Sequence, residues 1–330
     1  MHSGNKLLQF TKKGIYCPQA DVYIDPSSSV ENAVITHAHS DHARRGSRHY
    51  LAHHISIPIL KYRLGKNISA EGMAYNETID VNSVKISLHP AGHIPGSAQV
   101  RLEFKGEVAV VSGDYKLEYD GLTEAFDPVK CNTFVTESTF ALPIYKWKKQ
   151  EEIFSDMNNW WRQNKEKGIV SIITGYSLGK SQRILYNLYN IDKTTGKIFT
   201  HKAISDINEI LIKQGIDLPE TQTLNSDISF RDIEGALIIS PNVTGSDLPG
   251  NPGMYSVAFA SGWMNVNKAK KQRGIDIGFG LSDHADWEGL NKAVKETGAE
   301  KIYVTHGFTS AFVKWLCQQG YDAEELLITN

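Results

Sequence analysis

The sequence predicts an α/β protein of two joined domains, and three observations carry that prediction. At 330 residues the chain exceeds the ~250–300 at which a single hydrophobic core stops growing. From Leu7 to about Phe140, short apolar runs alternate with glycine, proline and polar turns, as strands do. From Ala141 to Gly274 helical periodicity dominates, and beyond Gly274 strand-then-helix units return. The expected organisation is a first domain over 1–140, an insertion over 141–274, and completion of the first domain over 275–330.

Taken in order, Val22-Tyr23-Ile24 and Val34-Ile35 read as short strands. Val84–Leu88 and Gln99–Phe104 alternate apolar and polar residues, the period of half-buried strands, and Glu107–Val111 is a buried-type strand. Gln150–Lys167 places Ile153, Met157, Trp160 and Trp161 at helical spacing, a stripe for packing. Further helices are expected at Leu178–Tyr189, Asp206–Gln214 and Ser310–Gln319, and strands at Ala236–Ser240 and Ile302–Val304. After Ser240 comes a loop rich in glycine and proline, up to Gly253.

Hydrophobic residues make up 41% of the chain and charged residues 22%, which excludes a disordered chain and fits a soluble globular one. No apolar run approaches the ~20 residues that span a bilayer. The start, Met1–Lys6, lacks the regions of a signal peptide. Cys17, Cys131 and Cys317 are too few and too scattered for a disulfide framework, so a cytoplasmic setting is expected. A net charge of −2 excludes a wholesale polycation, and any grip on a polyanion is local. The basic candidates are Arg44–Arg48, Lys146–Lys149, where Trp147 adds a stacking ring, and Lys268–Arg273.

The chemistry concentrates in His37-Ala38-His39-Ser40-Asp41-His42, directly after the apolar run Ala33–Thr36. Alternation along a strand turns His37 and His39 toward one point, and Asp41 and His42 follow on the turn. Imidazole with carboxylate suits zinc, manganese or iron, and the lack of nearby cysteine argues against a thiolate site. Two adjacent ligand sets point to two metals, an arrangement that serves phosphodiester hydrolysis among other reactions. Four later segments share the strand-end character: Gly92-His93-Ile94-Pro95-Gly96, Ser112-Gly113-Asp114, Asp283-His284-Ala285-Asp286 and Thr305-His306-Gly307. Asp114 is suited to bridging two cations. His89 competes with His93 as a ligand, but only His93 opens onto a glycine-rich turn, where backbone approaches closely. His49, His53, His54 and His201 fit no motif and are expected to be ordinary surface or loop residues.

Together these segments resemble the metallo-β-lactamase fold signature. Asp25, in Tyr23-Ile24-Asp25-Pro26, resembles its first motif, an aspartate that supports the ligand histidines. Thr136-Glu137-Ser138-Thr139-Phe140, Asp283–Asp286 and Thr305–Gly307 resemble the three extra motifs of the β-CASP nucleases. Gly14–Asp21, His37–Arg45, Ser112–Leu117 and Ala260–Met264 are similar to the bacterial ligase-associated DNA-repair exonucleases, relatives of Artemis, nearly end to end.

The resemblance implies a four-layer αββα metallo-β-lactamase sandwich with an inserted α/β β-CASP-like domain. It implies one metal on His37, His39, His93 and Asp114 and another on Asp41, His42, Asp114 and His306, the ions being zinc or manganese, with iron as an option. A water activated between them attacks, oriented in part by Asp41; His284 protonates the leaving oxygen and Glu137 orients the imidazole. The implied activity is exonucleolytic cleavage of single-stranded DNA in repair, with a DNA ligase and a helicase as functional partners. His306 stands where Artemis-type enzymes commonly carry valine and RNA-acting relatives histidine, so RNA processing is the alternative. A small-molecule ester hydrolase of the same fold is a third reading.

Arg44, Arg45, Lys116, Ser177 and Lys180 are the candidate substrate contacts. Gly175-Tyr176-Ser177-Leu178-Gly179-Lys180-Ser181 is one residue short of a phosphate loop between its glycines, so nucleotide hydrolysis is not expected. A helix start with a lysine still suits a backbone phosphate.

Overall fold

The computed structural model describes residues 6–241, 248, 254–266 and 275–326. The basic run Lys268–Arg273 and most of the loop up to Gly253 lie outside the described residues. The chain forms two units, one of Met1–Tyr119, Thr123–Lys146 and His284–Asn330, the other of Asp120–Leu122 and Trp147–Asp283.

Up to residue 146 the elements are β1 (Gln9–Thr11), β2 (Gly14–Cys17), β3 (Val22–Ile24), β4 (Asn32–Val34), β5 (His49–His53), α1 (Ser56–Leu64), β6 (Ser69–Met73), β7 (Thr78–Val81), β8 (Val84–Pro90), β9 (Ala98–Phe104), β10 (Glu107–Val111) and β11 (Thr133–Ser138). The second unit adds α2 (Gln150–Glu166), β12 (Val170–Thr174), α3 (Lys180–Ile191), β13 (Ile198–Thr200), α4 (Lys202–Lys213), β14 (Gln222–Thr223), α5 (Phe230–Ile233), β15 (Leu237–Ser240), β16 (Tyr255–Ala260) and β17 (Ile277–Phe279). The chain then returns to the first unit with α6 (Trp287–Thr297), β18 (Lys301–Gly307), α7 (Thr309–Gln318) and β19 (Asp322–Glu325).

Period-two patterning assembles the first unit. One sheet takes β1 to β6 in chain order, and the other runs β19-β18-β11-β10-β9-β8-β7. Val22, Ile24 and Val34 of the first sheet share a core with Val84, Ile86, Leu88, Val100, Leu102 and Val111 of the second. Val110, one residue from Val111, points to the opposite face, as alternation requires. There, with Phe134, Ile302 and Val304, it packs on Leu290, Ala293 and Val294 of α6 and Phe312 and Leu316 of α7. On the outer side of the first sheet, α1 lies against β6 so closely that a Cβ at Gly72 would sit 3.1 Å from Ile57.

Strand direction places the functional segments. β8 and β10 are both antiparallel to β9 and therefore run the same way, and β10, β11 and β18 are mutually parallel. All four end on one edge of the sheet, so the residues that follow or close them, around His93, Asp114, Glu137 and His306, gather there.

The second unit is built on an all-parallel sheet, ordered β14-β13-β15-β12-β16-β17. Its near-continuous apolar strands, such as Leu237–Ser240, bury both faces, as parallel sheets with helices on each side do. Ile153, Met157 and Trp161 of α2 are buried against it. Two helix starts differ from expectation. α3 begins at Lys180 because Gly179, at φ 90°, turns the chain and donates its N–H to Gln182 Oε1 at 2.7 Å. α4 begins at Lys202 because His201 caps it, its Nδ1 accepting Ala203 N–H at 3.1 Å.

His53 is not the ordinary surface residue expected. The register of β5 turns it inward to 1% exposure, stacked on Tyr75 with ring centroids 3.7 Å apart. His49, His54 and His201 are exposed.

Candidate metal centre

His37, His39, His93 and Asp114 converge, each offering one ligand atom within 4.8 Å of the others. His37 Nε2 lies 3.1 Å from His39 Nδ1, and His93 Nε2 lies 3.2 Å from the same atom. Asp114 Oδ2 stands 3.6 Å from His37 Nε2 and 3.8 Å from His93 Nε2. An ion holding nitrogen at ~2.0–2.1 Å in tetrahedral geometry spaces its ligands ~3.3–3.4 Å apart, so the four groups fit a metal. His37 is fully buried, and burial followed by the neighbouring imidazoles of His42 and His39 holds its pKa well below the usual range, as a neutral ligand requires. Asp114 is held well below the usual carboxylate range: burial opposes this, but the imidazoles of His42, His284 and His37 outweigh it.

The second expected set is more open. His42 Nε2 is 3.5 Å from Asp114 Oδ2 and 3.9 Å from Asp41 Oδ2, and its ring centroid is 5.6 Å from that of His306. Asp41 and His306 are exposed, while His42 is buried. His306 sits at φ 51° where β18 ends, with its carbonyl bonded to the Ser138 hydroxyl of β11.

Asp25 organises the histidines from behind. Its carboxylate accepts Thr36 N–H at 2.8 Å and Thr36 O–H at 2.5 Å, and faces His42 Nδ1 at 2.7 Å. With its hydrogen on Asp25, the Thr36 oxygen is left to accept from His37 Nδ1, 3.1 Å away. Both rings therefore aim Nδ1–H at these oxygens and turn Nε2 to the centre. Burial works against a charge on His42, but Asp114 and Asp25 outweigh it and raise its pKa well above the ordinary value. Thr36 carried no signal as a lone strand-end threonine.

Ser97 was missed as well, although serine closing a glycine-rich turn is a residue that bonds backbone. Its hydroxyl oxygen accepts the N–H groups of His93 and Ile94 at 3.1 and 3.2 Å and so shapes the His93 turn. His89 stays apart from the cluster, on β8, with Nε2 3.0 Å from Ser87 Oγ.

Beside the centre stands a second convergence, Asp114, Glu137 and His284. His284 Nδ1 lies 2.9 and 3.1 Å from the two Glu137 oxygens and 4.0 Å from Asp114 Oδ2. Glu137 is buried, with its oxygens also accepting Tyr115 N–H at 2.8 Å and Thr139 O–H at 2.5 Å. A cavity of about 250 Å³ opens next to these groups, lined on its polar side by Asp41, His42, Arg44 and His306 and on its apolar side by Ile15, Ile24 and Leu326.

The candidate substrate contacts fall in different places. Arg44 and Arg45 are exposed, and Ser177 is half-buried. Lys116 is buried, its ammonium bonded to the Glu118 carbonyl and carboxylate at 2.9 and 2.8 Å. Lys180 is buried too, 3.2 Å from Asp283 Oδ2, and Arg183 binds the other oxygen at 3.0 Å.

No protein-family model matches the chain. It is similar to a probable DNA ligase of Opitutus terrae, 25% identical over 94% of this chain and 30% of that protein. It is also similar to endoribonuclease YSH1 of Saccharomyces cerevisiae, 23% identical over 56% of this chain and 26% of that one. RNase aCSPSF2 of Saccharolobus solfataricus is 28% identical over 34% of this chain and 23% of its own length. The chain thus spans less than a third of the length of these relatives. A protein of unknown function from Enterococcus faecalis matches 90% of this chain and 79% of its own at a TM-score of 0.60 and 13% identity, which shows a shared fold. The relatives agree with the motifs: the chain is homologous to the β-CASP nucleases of metallo-β-lactamase fold.

Proposed function

We propose that this protein is a metal-dependent nuclease that hydrolyses phosphodiester bonds of single-stranded DNA from an end, in DNA repair. The observation that carries the reading is a four-donor His/Asp cluster with a pair of buried Glu137 and half-buried His284 beside it, sharing Asp114. Unit 1 is read as a four-layer αββα sandwich and the insertion over 141–274 as a β-CASP-like domain. His37, His39, His93 and Asp114 would hold one divalent ion, zinc or manganese, and Asp41, His42, Asp114 and His306 the other. When bound, such ions supply Lewis-acid charge for the phosphate and an activated water.

The protein's own part is orientation and proton delivery. Asp25 and Thr36 keep His37 and His42 in the tautomer that presents Nε2, and Asp41, exposed at the mouth, orients water. Glu137 holds the Nδ1–H of His284, which leaves Nε2 to protonate the departing oxygen. Arg44 and Arg45 on the first unit and Ser177 on the second, each at least partly open to solvent, are the proposed contacts to backbone phosphates. The buried ammonium groups of Lys116 and Lys180 are committed to protein oxygens and serve the substrate only if those bonds open. The cytoplasm is the proposed setting, with a DNA ligase and a helicase as functional partners.

Similarity along nearly the whole chain to a protein described as a probable DNA ligase supports DNA. Similarity over 56% and 34% of the chain to proteins named endoribonuclease and RNase supports RNA as a second reading. The test is cleavage of matched single-stranded DNA and RNA, labelled at either end, with manganese or zinc added. Wild type is compared with Asp114→Ala and His284→Ala. Stepwise shortening of DNA, lost in Asp114→Ala, is expected; internal cuts confined to RNA would establish the second reading. Cleavage of neither by metal-loaded protein would overturn both.

A further inference from the structure

Tyr115 follows Asp114 directly and bonds to the chain on both sides of the carboxylate–imidazole pair. Its N–H donates to Glu137 Oε1 at 2.8 Å, the oxygen that also faces His284 Nδ1 at 3.1 Å. Its carbonyl accepts the N–H of Ala285, the residue after His284, at 2.7 Å. Its phenol oxygen is 2.9 Å from the hydroxyl of Thr136, the residue before Glu137.

The ring that carries this phenol is fully buried, with centroids 5.2 Å from Phe126 and 6.5 Å from Phe134. A buried aromatic side chain bonded at its tip has one orientation, and with it the backbone of residue 115 is fixed. Three segments that meet only through folding, ending in Asp114, Glu137 and His284, are thereby held by one residue.

We propose that Tyr115 is a positioning residue, holding the Glu137–His284 pair at its distance and angle from Asp114 for proton delivery to the leaving group. The proposal rests on the nuclease reading for its chemistry, but not for its geometry. Tyr115 meets no substrate; it acts through Glu137 and the chain at Ala285.

The variant that separates positioning from packing is Tyr115→Phe, which keeps the ring and removes the O–H. Thr136→Val removes the other end of the same hydrogen bond together with the O–H that Thr136 donates to the Glu137 carbonyl at 3.0 Å, so its fall should be at least as large. A single lost hydrogen bond lowers the melting temperature by only ~1–2 °C in a chain of 330 residues. On single-stranded nucleic acid, whose alkoxide leaving group needs a proton, kcat is expected to fall about 10-fold with KM unchanged, part of the ~10²–10⁴ that a general acid supplies. On a p-nitrophenyl phosphodiester, whose leaving group departs unprotonated, the rate should stay at that of wild type. An equal fall on both substrates, or none on either, overturns the proposal.

The Nδ1–H proton resonance of His284 provides a readout independent of turnover. It should be protected from exchange in wild type and broadened in both variants. If wild type cleaves nothing, the nuclease reading fails by itself, and an unchanged resonance in Tyr115→Phe then overturns the positioning role.

Discussion

Replacing Asp25 by asparagine removes one charge while leaving the side-chain volume almost unchanged. Asp25 now receives three hydrogens, from Thr36 N–H, Thr36 O–H and His42 Nδ1–H, at 2.8, 2.5 and 2.7 Å. Asparagine keeps one oxygen for the amide, but its NH2 must face a group that itself donates. His42 then either leaves Nδ1–H unpaired or moves the hydrogen to Nε2, the nitrogen 3.5 Å from Asp114. In that tautomer the lone pair is lost from the centre.

Losing such a supporting partner weakens metal binding by about 10–100-fold, which is ~1.4–2.8 kcal/mol. The backbone should contribute little to the difference. Asp25 sits at φ 45°, a left-handed conformation that asparagine tolerates, whereas alanine there would add strain of ~1–2 kcal/mol. Metal-free protein titrated with zinc or manganese against a chromophoric chelator gives the affinity of each equivalent. One equivalent should weaken by that factor in Asp25→Asn, with the metal-free melting temperature close to that of wild type. Two equivalents at wild-type affinity would refute the tautomer argument.

Asp283→Asn strands the buried ammonium of Lys180 and guanidinium of Arg183, and should lower unfolding free energy by ~3–5 kcal/mol in urea; a loss below ~1 kcal/mol, the range of an exposed pair, would mean that the cations reach water. His53, buried and with no partner for Nδ1, has its pKa lowered by burial, and then by His54, to about 3. The unfolded chain takes up this proton near its ordinary value and the folded protein resists it, so the stability is complete above ~pH 6.5 and is lost as pH falls toward 3. At pH 5 the loss, discounted for solvent screening, is ~1–2 kcal/mol, and His53→Phe should flatten the melting-temperature profile between pH 7 and 5; an unchanged slope would show that another group carries it.

Much of the fold was legible because its signals are local. Val84–Pro90 and Ala98–Phe104 form strands where period-two alternation places them, and α2 buries Ile153, Met157 and Trp161 at helical spacing. β5, α1 and β12 were missed: they are short or apolar throughout, and a buried run reads the same whichever element it joins. His53 was misjudged because a strand's inward face is set by its neighbours. His201 was missed as a helix cap because histidine is not among the residues that usually cap.

By itself, the sequence determined the chemistry on offer. Histidines and carboxylates at the ends of apolar runs are written in residue type and spacing, and they do not depend on packing. Only the tertiary structure decided which groups meet. The shared direction of β8, β10, β11 and β18 gathers their ends on one edge, and Glu137 finds His284 across 147 residues of chain. The Asp25–Thr36–His37 relay and the burial of Lys180 on Asp283 are likewise settled by distance and solvent exclusion. Those quantities exist only once the strands have paired, because register and burial are properties of neighbours that no local stretch of chain contains.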